Sequence, residues 1–278
     1  MSSPTTKTPR RPVGATGATS EDDFLGGRIR VLQPLQGHRA GSDAVFLAAS
    51  TPADSGDRVL DAGSGVGTAA LCLLARVPKA ELTAVEIDPE LCALAERNAA
   101  LNGAADRLTV VNTDITSGES ALAAAGLKRE GYHHIFANPP FHVEDRVRAA
   151  PDRRRAAAHV MRKDGLAGWV RFFAAMAAPG GSLTVIHRPD GLAELLQLLD
   201  GRFGEARVFP LFPKQRAPAV RIIVQARQGS RAGLTLLPGL VLHRCDGSYA
   251  EEAERVLRAG EALVLRDRSQ KKGRRPGG

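Results

Sequence analysis

A hydrophobic run ending Tyr132-His-His-Ile-Phe-Ala is followed directly by Asn138-Pro139-Pro140-Phe141, a carboxamide, two prolines and an aromatic ring. Two successive prolines fix φ at both positions and stiffen the turn, so whatever Asn138 and Phe141 do, they do it from a rigid corner. Some 71 residues earlier the segment Val59-Leu-Asp61-Ala-Gly63-Ser-Gly65-Val-Gly67-Thr has the order strand, acid, glycine loop, helix start. Small residues there let a ligand approach the backbone closely, at the edge where open α/β sheets bind ligands. Counted from Gly63 and Gly65, a nicotinamide fingerprint needs a third glycine where Thr68 stands. The next strand ends at Glu86, 21 residues beyond Gly65, where a carboxylate can accept hydrogen bonds from both hydroxyls of a ribose. A third run, Val110-Val-Asn-Thr-Asp114, brings another acid to a strand end. Three acids on three successive strand ends, with the glycines between, point to an adenosine-bearing ligand.

These groups need a parallel sheet to bring them to one edge, and the sequence supplies it. Short runs rich in Val, Leu and Ile predict strands over Arg58–Ala62, Leu82–Glu86, Leu108–Asn112, His134–Asn138, Ser182–His187 and Val220–Ala226. Helical patterns fall at 66–76, 89–101, 165–178 and 190–200, with a short entry helix at 42–50 that Ser42 is expected to cap. Strands alternating with helices predict one doubly wound, mostly parallel α/β domain over residues 21–265. Residues 1–20 and 266–278 have no hydrophobic period and read as disordered arms.

Composition limits the function classes. The 278 residues are 43% hydrophobic and 24% charged, enough for a sizeable core. No apolar stretch is long enough to cross a bilayer, and the first 20 residues have no secretory apolar region, so the expected location is the cytoplasm, away from membranes. The scattered cysteines, Cys72, Cys92 and Cys245, fit a reducing compartment, and no cysteine or histidine cluster has metal-ligand spacing. The net charge of +8 resides in the arms: Lys7, Arg10 and Arg11 in the first, and six bases against Asp267 in the second, leaving 21–265 neutral. Within the body, His142 to Asp164 carries seven bases against four acids directly after the Asn138 corner, which suits a phosphate-bearing substrate.

The D-x-G-x-G-x-G loop at Asp61 to Gly67 resembles that of class I methyltransferases using S-adenosyl-L-methionine. Asn138 to Phe141 resembles the (N/D/S)PP(Y/F/W) motif of those that modify planar nitrogens. Residues 23–265 look like the tRNA(Val) adenine-N6-methyltransferase family, through Phe24-Leu-Gly-Gly-Arg28, the Leu32 to Ala48 lead-in and the late Ala219 to Ser230 segment. The resemblance implies a seven-stranded sheet. It implies that Asp61 and the backbone of Gly63, Gly65 and Gly67 hold the methionine part of the cofactor, Glu86 its ribose and Asp114 its adenine amine. Gly41 and Asp43 match a cofactor-contacting turn.

It further implies that Asn138 and the Pro139 carbonyl accept the two N–H bonds of an exocyclic amine, favouring a tetrahedral nitrogen as positive charge develops. Pro140 completes the stiff turn, and Phe141 stacks on the base. The implied partner is RNA, with tRNA first; nothing points to an obligate protein partner. Asn-Pro-Pro-Phe-His also resembles guanine-N2 methyltransferases of ribosomal RNA, so the target base stays open at this point. So does a third reading, an RNA-binding scaffold without activity.

Overall fold

The structure, a computed structural model, describes residues 18–37, 39–140 and 165–265. Phe141, the basic stretch after it and both arms from 1 to 17 and 266 to 278 lie outside the described residues. An antiparallel hairpin opens the chain, β1 (Thr19–Phe24) against β2 (Ile29–Pro34), and α1 (Ser42–Ser50) follows. Thr19 and Ser20, assigned to the arm from sequence, are the first residues of β1, and Thr19 is buried. Ser42 does not cap α1 either: the cap is Gly41, whose carbonyl accepts the Ala44 N–H at 3.2 Å.

The central sheet is built from β3 (Arg58–Ala62), β4 (Glu81–Glu86), β5 (Leu108–Asn112), β6 (Tyr132–Ala137), β7 (Ala177–His187), β8 (Phe203–Phe212) and β9 (Arg221–Gln228). Its order is β5-β4-β3-β6-β7-β9-β8, with β9 antiparallel to both neighbours and the other pairs parallel. The helices between are α2 (Thr68–Arg76), α3 (Pro89–Leu101), α4 (Glu119–Ala124), α5 (165–176), α6 (Leu192–Leu199) and α7 (Glu251–Glu254). Every predicted strand is present within a few residues of its expected bounds.

β8 supplies the seventh strand that the resemblance implied but that no run in the sequence marked. Its Gly204 and Pro210 obscured it, since a proline removes a ladder donor. The edge accommodates the proline by splitting. Two short strands, β10 (Thr235–Leu236) and β11 (Leu240–Val241), pair with β8 on either side of Pro210, at Arg207–Val208 and Leu211–Phe212. Gly239 turns between them at φ +79, where a Cβ would stand 2.3 Å from the Pro210 carbonyl oxygen.

Both faces of the sheet are covered, and the strands alternate accordingly. Val59, Ala84, Phe136, Ile186 and Ile223 join the core under α1, α2, α3 and the hairpin. Leu60, Val85, Ile135, Val185, Ile222 and Val224 join the core under α5 and α6. At the amino edge His134, which burial pushes below its ordinary pKa, bridges two strands in neutral form. Its Nε2–H donates to Asp57 at 2.9 Å and its Nδ1 accepts from the Ser182 hydroxyl at 2.7 Å. This ties β3, β6 and β7 together on the edge away from the glycine loop, a structural role for that ring.

The chain runs β3 to β4 to β5 on one side, then crosses to β6 on the other side of β3. The crevice between the carboxyl ends of β3 and β6 is therefore the topological switch point, where ligands of such sheets bind. Asp61 and the glycine loop leave β3 there, and Asn138 leaves β6 there.

Candidate active site

The glycine loop is held open by three left-handed residues, Gly63 (φ +69), Gly65 (φ +57) and Gly67 (φ +81). Its start is pinned to β4, since the Gly63 and Ser64 N–H groups both donate to the Val85 carbonyl, at 2.8 and 3.0 Å. A Cβ on Gly63 would stand 2.5 Å from Cη2 of Trp169, so the glycine lets an indole lie directly on the loop. A Cβ on Gly65 would meet nothing within 4 Å. That glycine faces open space at the crevice.

Two buried carboxylates flank the loop. Glu86 accepts from Gly65 N–H at 2.9 Å on one oxygen, and from the Ile87 and Asp88 N–H groups at 2.9 and 3.0 Å on the other. Burial nevertheless raises its pKa. Asp61 is 3% exposed and held well above the usual carboxylate range, first by burial and then by the Glu86 charge, against one N–H from Ala70 in α2. Its Oδ2 has no hydrogen-bond partner among the described residues. Asp114 accepts from the Thr116 N–H and hydroxyl at 2.8 and 2.7 Å, an arrangement that shapes the turn after β5.

Across the crevice, Asn138 follows the last residue of β6 and Pro139 is buried. The Asn138 Oδ1 is buried and unpaired among the described residues, as are Ser64 Oγ, Thr68 Oγ1 and Trp169 Nε1. A buried polar atom without a partner is costly, so a concentration of them at one sheet edge marks where a ligand is to supply the missing bonds. Trp169 was missed by the sequence reading. Its helix could be drawn from the pattern, but nothing local says that α5 lays the indole on Gly63.

The lead-in reaches the same edge. Gln33 is buried and clamps Ala40 from both sides, accepting its N–H at 2.7 Å and donating to its carbonyl at 3.3 Å. Gly41 follows. Asp43 on α1 accepts from Arg221 Nε at 2.7 Å. Arg221 opens the antiparallel strand β9, with Ile222 beside His187, so the pair stands at the carboxyl edge. Asp43 is thus tied to the sheet by an ion pair. Asp61, Gly63, Gly65, Glu86 and Asn138 lie at the carboxyl ends of β3, β4 and β6, whereas the Cβ position of Gly67 faces Ala95 of α3 at 3.4 Å and serves the packing of the loop on that helix.

The methyltransferase small domain family matches residues 40–171, from the lead-in through the Asn-Pro-Pro corner. A solved structure titled a predicted O-methyltransferase, from Agrobacterium tumefaciens, is 30% identical with a TM-score of 0.69, over 81% of this chain and 99% of that one. The chain belongs to the class I methyltransferases. Among curated relatives, a tRNA1(Val) (adenine(37)-N6)-methyltransferase of Porphyromonas gingivalis is 29% identical over 84% of this methyltransferase and 93% of its own length. A release factor glutamine methyltransferase of Deinococcus radiodurans is 36% identical over 55% of this chain and 53% of its own.

The cofactor of this methyltransferase is S-adenosyl-L-methionine, and the crevice fits it. Asp61, buried with a raised pKa and an oxygen that has no partner among the described residues, fits the positively charged methionine portion of that cofactor. Glu86, held by three backbone N–H groups, stands at the end of the neighbouring strand for its ribose. The open face of Gly65 leaves room for backbone approach. No helix among the described residues is long and apolar enough to cross a membrane.

Proposed function

We propose that this methyltransferase modifies the exocyclic N6 amine of an adenine in tRNA. The observation that carries the reading is the buried, unpaired Asn138 Oδ1 on a proline-stiffened corner beside the glycine loop. An aromatic amine shares its lone pair with the ring and is a poor nucleophile. It has two N–H bonds, and Asn138 Oδ1 and the Pro139 carbonyl are two acceptors for them. A hydroxyl has one hydrogen, so an oxygen nucleophile would leave one acceptor unused. The likeness to the adenine-N6 enzyme over 93% of its length supports adenine over the other planar nitrogens. That to the glutamine enzyme covers about half of either chain.

When bound, S-adenosyl-L-methionine supplies an electrophilic methyl group on sulfur. The protein's own part begins with Asp61, the Gly63 to Gly67 backbone and Glu86, which hold the methionine and ribose portions, and with Asp114 at the adenine. Gly41 and Asp43 close the lead-in over them. Asn138 and Pro139 draw the amine hydrogens out of the plane of the base, which frees the lone pair and stabilises the developing positive charge. After transfer the surplus proton stays on the positively charged nitrogen, hydrogen-bonded to Asn138 Oδ1, and this acidic ammonium gives it up to water, so no strong base is needed. Phe141 stacks on the base, offsetting part of the cost of splaying it from its loop. Trp169 walls the crevice at Gly63. The setting is the cytoplasm, where tRNA is modified and where the free thiols Cys72, Cys92 and Cys245 stay reduced.

The test is nucleoside mass spectrometry of tRNA and ribosomal RNA incubated with the protein and the cofactor. N6-methyladenosine in tRNA is the expected product. N2-methylguanosine in ribosomal RNA, methylated glutamine in a protein, or cofactor binding with no transfer to RNA would each overturn the assignment.

A further inference from the structure

The turn from β8 to β9 stands at the carboxyl edge of the sheet, the edge of the active site, because β8 runs parallel to the site strands and β9 returns from it. It carries Lys214 and Arg216, both exposed and without a carboxylate partner among the described residues. Arg216 holds a left-handed backbone, φ +61, although a glycine would adopt it without strain. That conformation is costly for a residue with a Cβ, so a glycine at 216 would relieve strain while removing the charge.

The surroundings place the two cations on a firm platform. Ala217 N–H donates to the Lys214 carbonyl at 3.2 Å, closing the turn. Beside it, His243 donates its N–H to the Pro213 carbonyl at 3.1 Å and stacks on Tyr249 with ring centroids 4.8 Å apart. The nearest counter-charge on that neighbouring turn, Asp246, is occupied by the Ser248 N–H and hydroxyl at 2.9 and 2.6 Å. Arg221 is already paired with Asp43, and Arg188 at the end of β7 with Asp190. Among the described residues, Lys214 and Arg216 face outward from this edge without a carboxylate ion pair, and Arg244, beside Asp246 on the turn after β11, is exposed next to them. From β6, where Asn138 sits, to β8 is three strand spacings, about 14 Å. That is within reach of the phosphates a few nucleotides from a base seated at Asn138.

We propose that the β8–β9 turn is a docking edge for the phosphate backbone of the RNA, with Lys214 and Arg216 as its contacts. This rests on the functional reading above and adds where the RNA strand lies. Contact with a phosphate is electrostatic and carries no base information, so its mark is the salt dependence of affinity.

The experiment compares wild type with K214Q/R216G by fluorescence anisotropy, using an unmodified valine tRNA transcript at several salt concentrations. The control is R202A/R231A, which removes the same charge from exposed sites at the opposite edge. The turn variant is expected to lower the slope of log affinity against log salt by about 1.4, or roughly 0.7 for each single-strand phosphate that is no longer neutralised. The control should leave the slope near wild type. Cofactor affinity should be unchanged in both, and the melting temperature of K214Q/R216G should not fall, because glycine relieves the strain at 216. An unchanged slope in the turn variant, or an equal fall in the control, overturns the proposal. Should K214Q/R216G fold poorly, K214Q alone is expected to lower the slope by about 0.7 and is judged by the same criterion. Binding is read without catalysis. A turn that governs tRNA affinity in a protein that transfers no methyl group to RNA would therefore sink the functional reading and leave this one standing.

Discussion

Asp61 and Glu86 end adjacent parallel strands, and both carboxylates are buried with raised pKa values. A carboxylate whose folded pKa lies above its unfolded value destabilises the fold as it ionises. The effect is absent below the unfolded pKa, near 3.8 for Asp61, and grows until pH passes the raised folded value. Asp61→Asn should therefore raise the melting temperature of the cofactor-free protein at neutral pH, with the gain vanishing near pH 4. The same change removes the charge proposed to meet the cofactor, so its dissociation constant, read by calorimetry, should rise on the order of 30-fold, about 2 kcal/mol. For wild type, affinity should weaken as pH falls through the raised Asp61 value, since the proton must leave before the cation binds. Asn138→Ala acts on the other partner. Turnover should fall on the order of 10²-fold, with cofactor affinity unchanged. These residues were legible in the sequence because a strand end, a glycine loop and a proline pair are local signals. Trp169 was not, because its contact with Gly63 crosses more than a hundred residues of chain and depends on where α5 lies.

Between elements, the least legible feature is how the β1–β2 hairpin is held. Its first strand, Thr-Ser-Glu-Asp-Asp-Phe, is acidic and carries no hydrophobic alternation, so nothing marks it as structured. The amides of α3 hold the hairpin in place. Asn98 accepts from Leu32 N–H at 2.8 Å and donates to the Leu32 carbonyl at 3.0 Å, and Asn102 does the same for Arg30 at 2.9 and 2.7 Å. Two residues along a strand advance about 6.6 Å and four along a helix about 6 Å, so the side chains of α3 serve β2 as a neighbouring strand would. Asn98 is fully buried and also donates to the Val66 carbonyl at 3.0 Å, joining the lead-in to the glycine loop. Asn98→Ala should cost about 3 kcal/mol, since each buried backbone group left unsatisfied costs ~1–3 kcal/mol, and should weaken cofactor binding as well. Asn102→Ala, nearer the surface, should cost less than half of that in chemical unfolding. Gly63→Ala tests the Trp169 contact. With φ +69 and the indole at 2.5 Å it should lose about 2–4 kcal/mol, falling to about 1–2 kcal/mol in a Trp169→Phe background, where only the backbone term remains.

At the scale of the whole molecule the charge distribution separates attraction from positioning. The formal charge of +8 is +3 from residues 1–20, +5 from 266–278 and none from the body between. A neutral body exerts little pull on a distant polyanion, so the long-range part of RNA attraction should belong to the arms, and the short-range part to cations set on the sheet edge. The structure also fixes where the first arm can be cut. Thr19 is buried and pairs with Pro34, so a truncation that removes 1–20 would unpick β1 and confuse a change of charge with a loss of fold, whereas removal of 1–17 leaves the hairpin whole. Deleting 1–17 and 266–278 together should flatten the salt dependence of tRNA binding and raise the RNA concentration needed for half-maximal rate. Turnover at saturating RNA should stay unchanged, because the crevice formed by β3, β4 and β6 is untouched. Steady-state kinetics at two salt concentrations separate these effects. A fall in saturated turnover would mean that an arm enters the active site, and an unaltered salt slope would assign the whole electrostatic attraction to the folded domain, whose cations are balanced by its own acids.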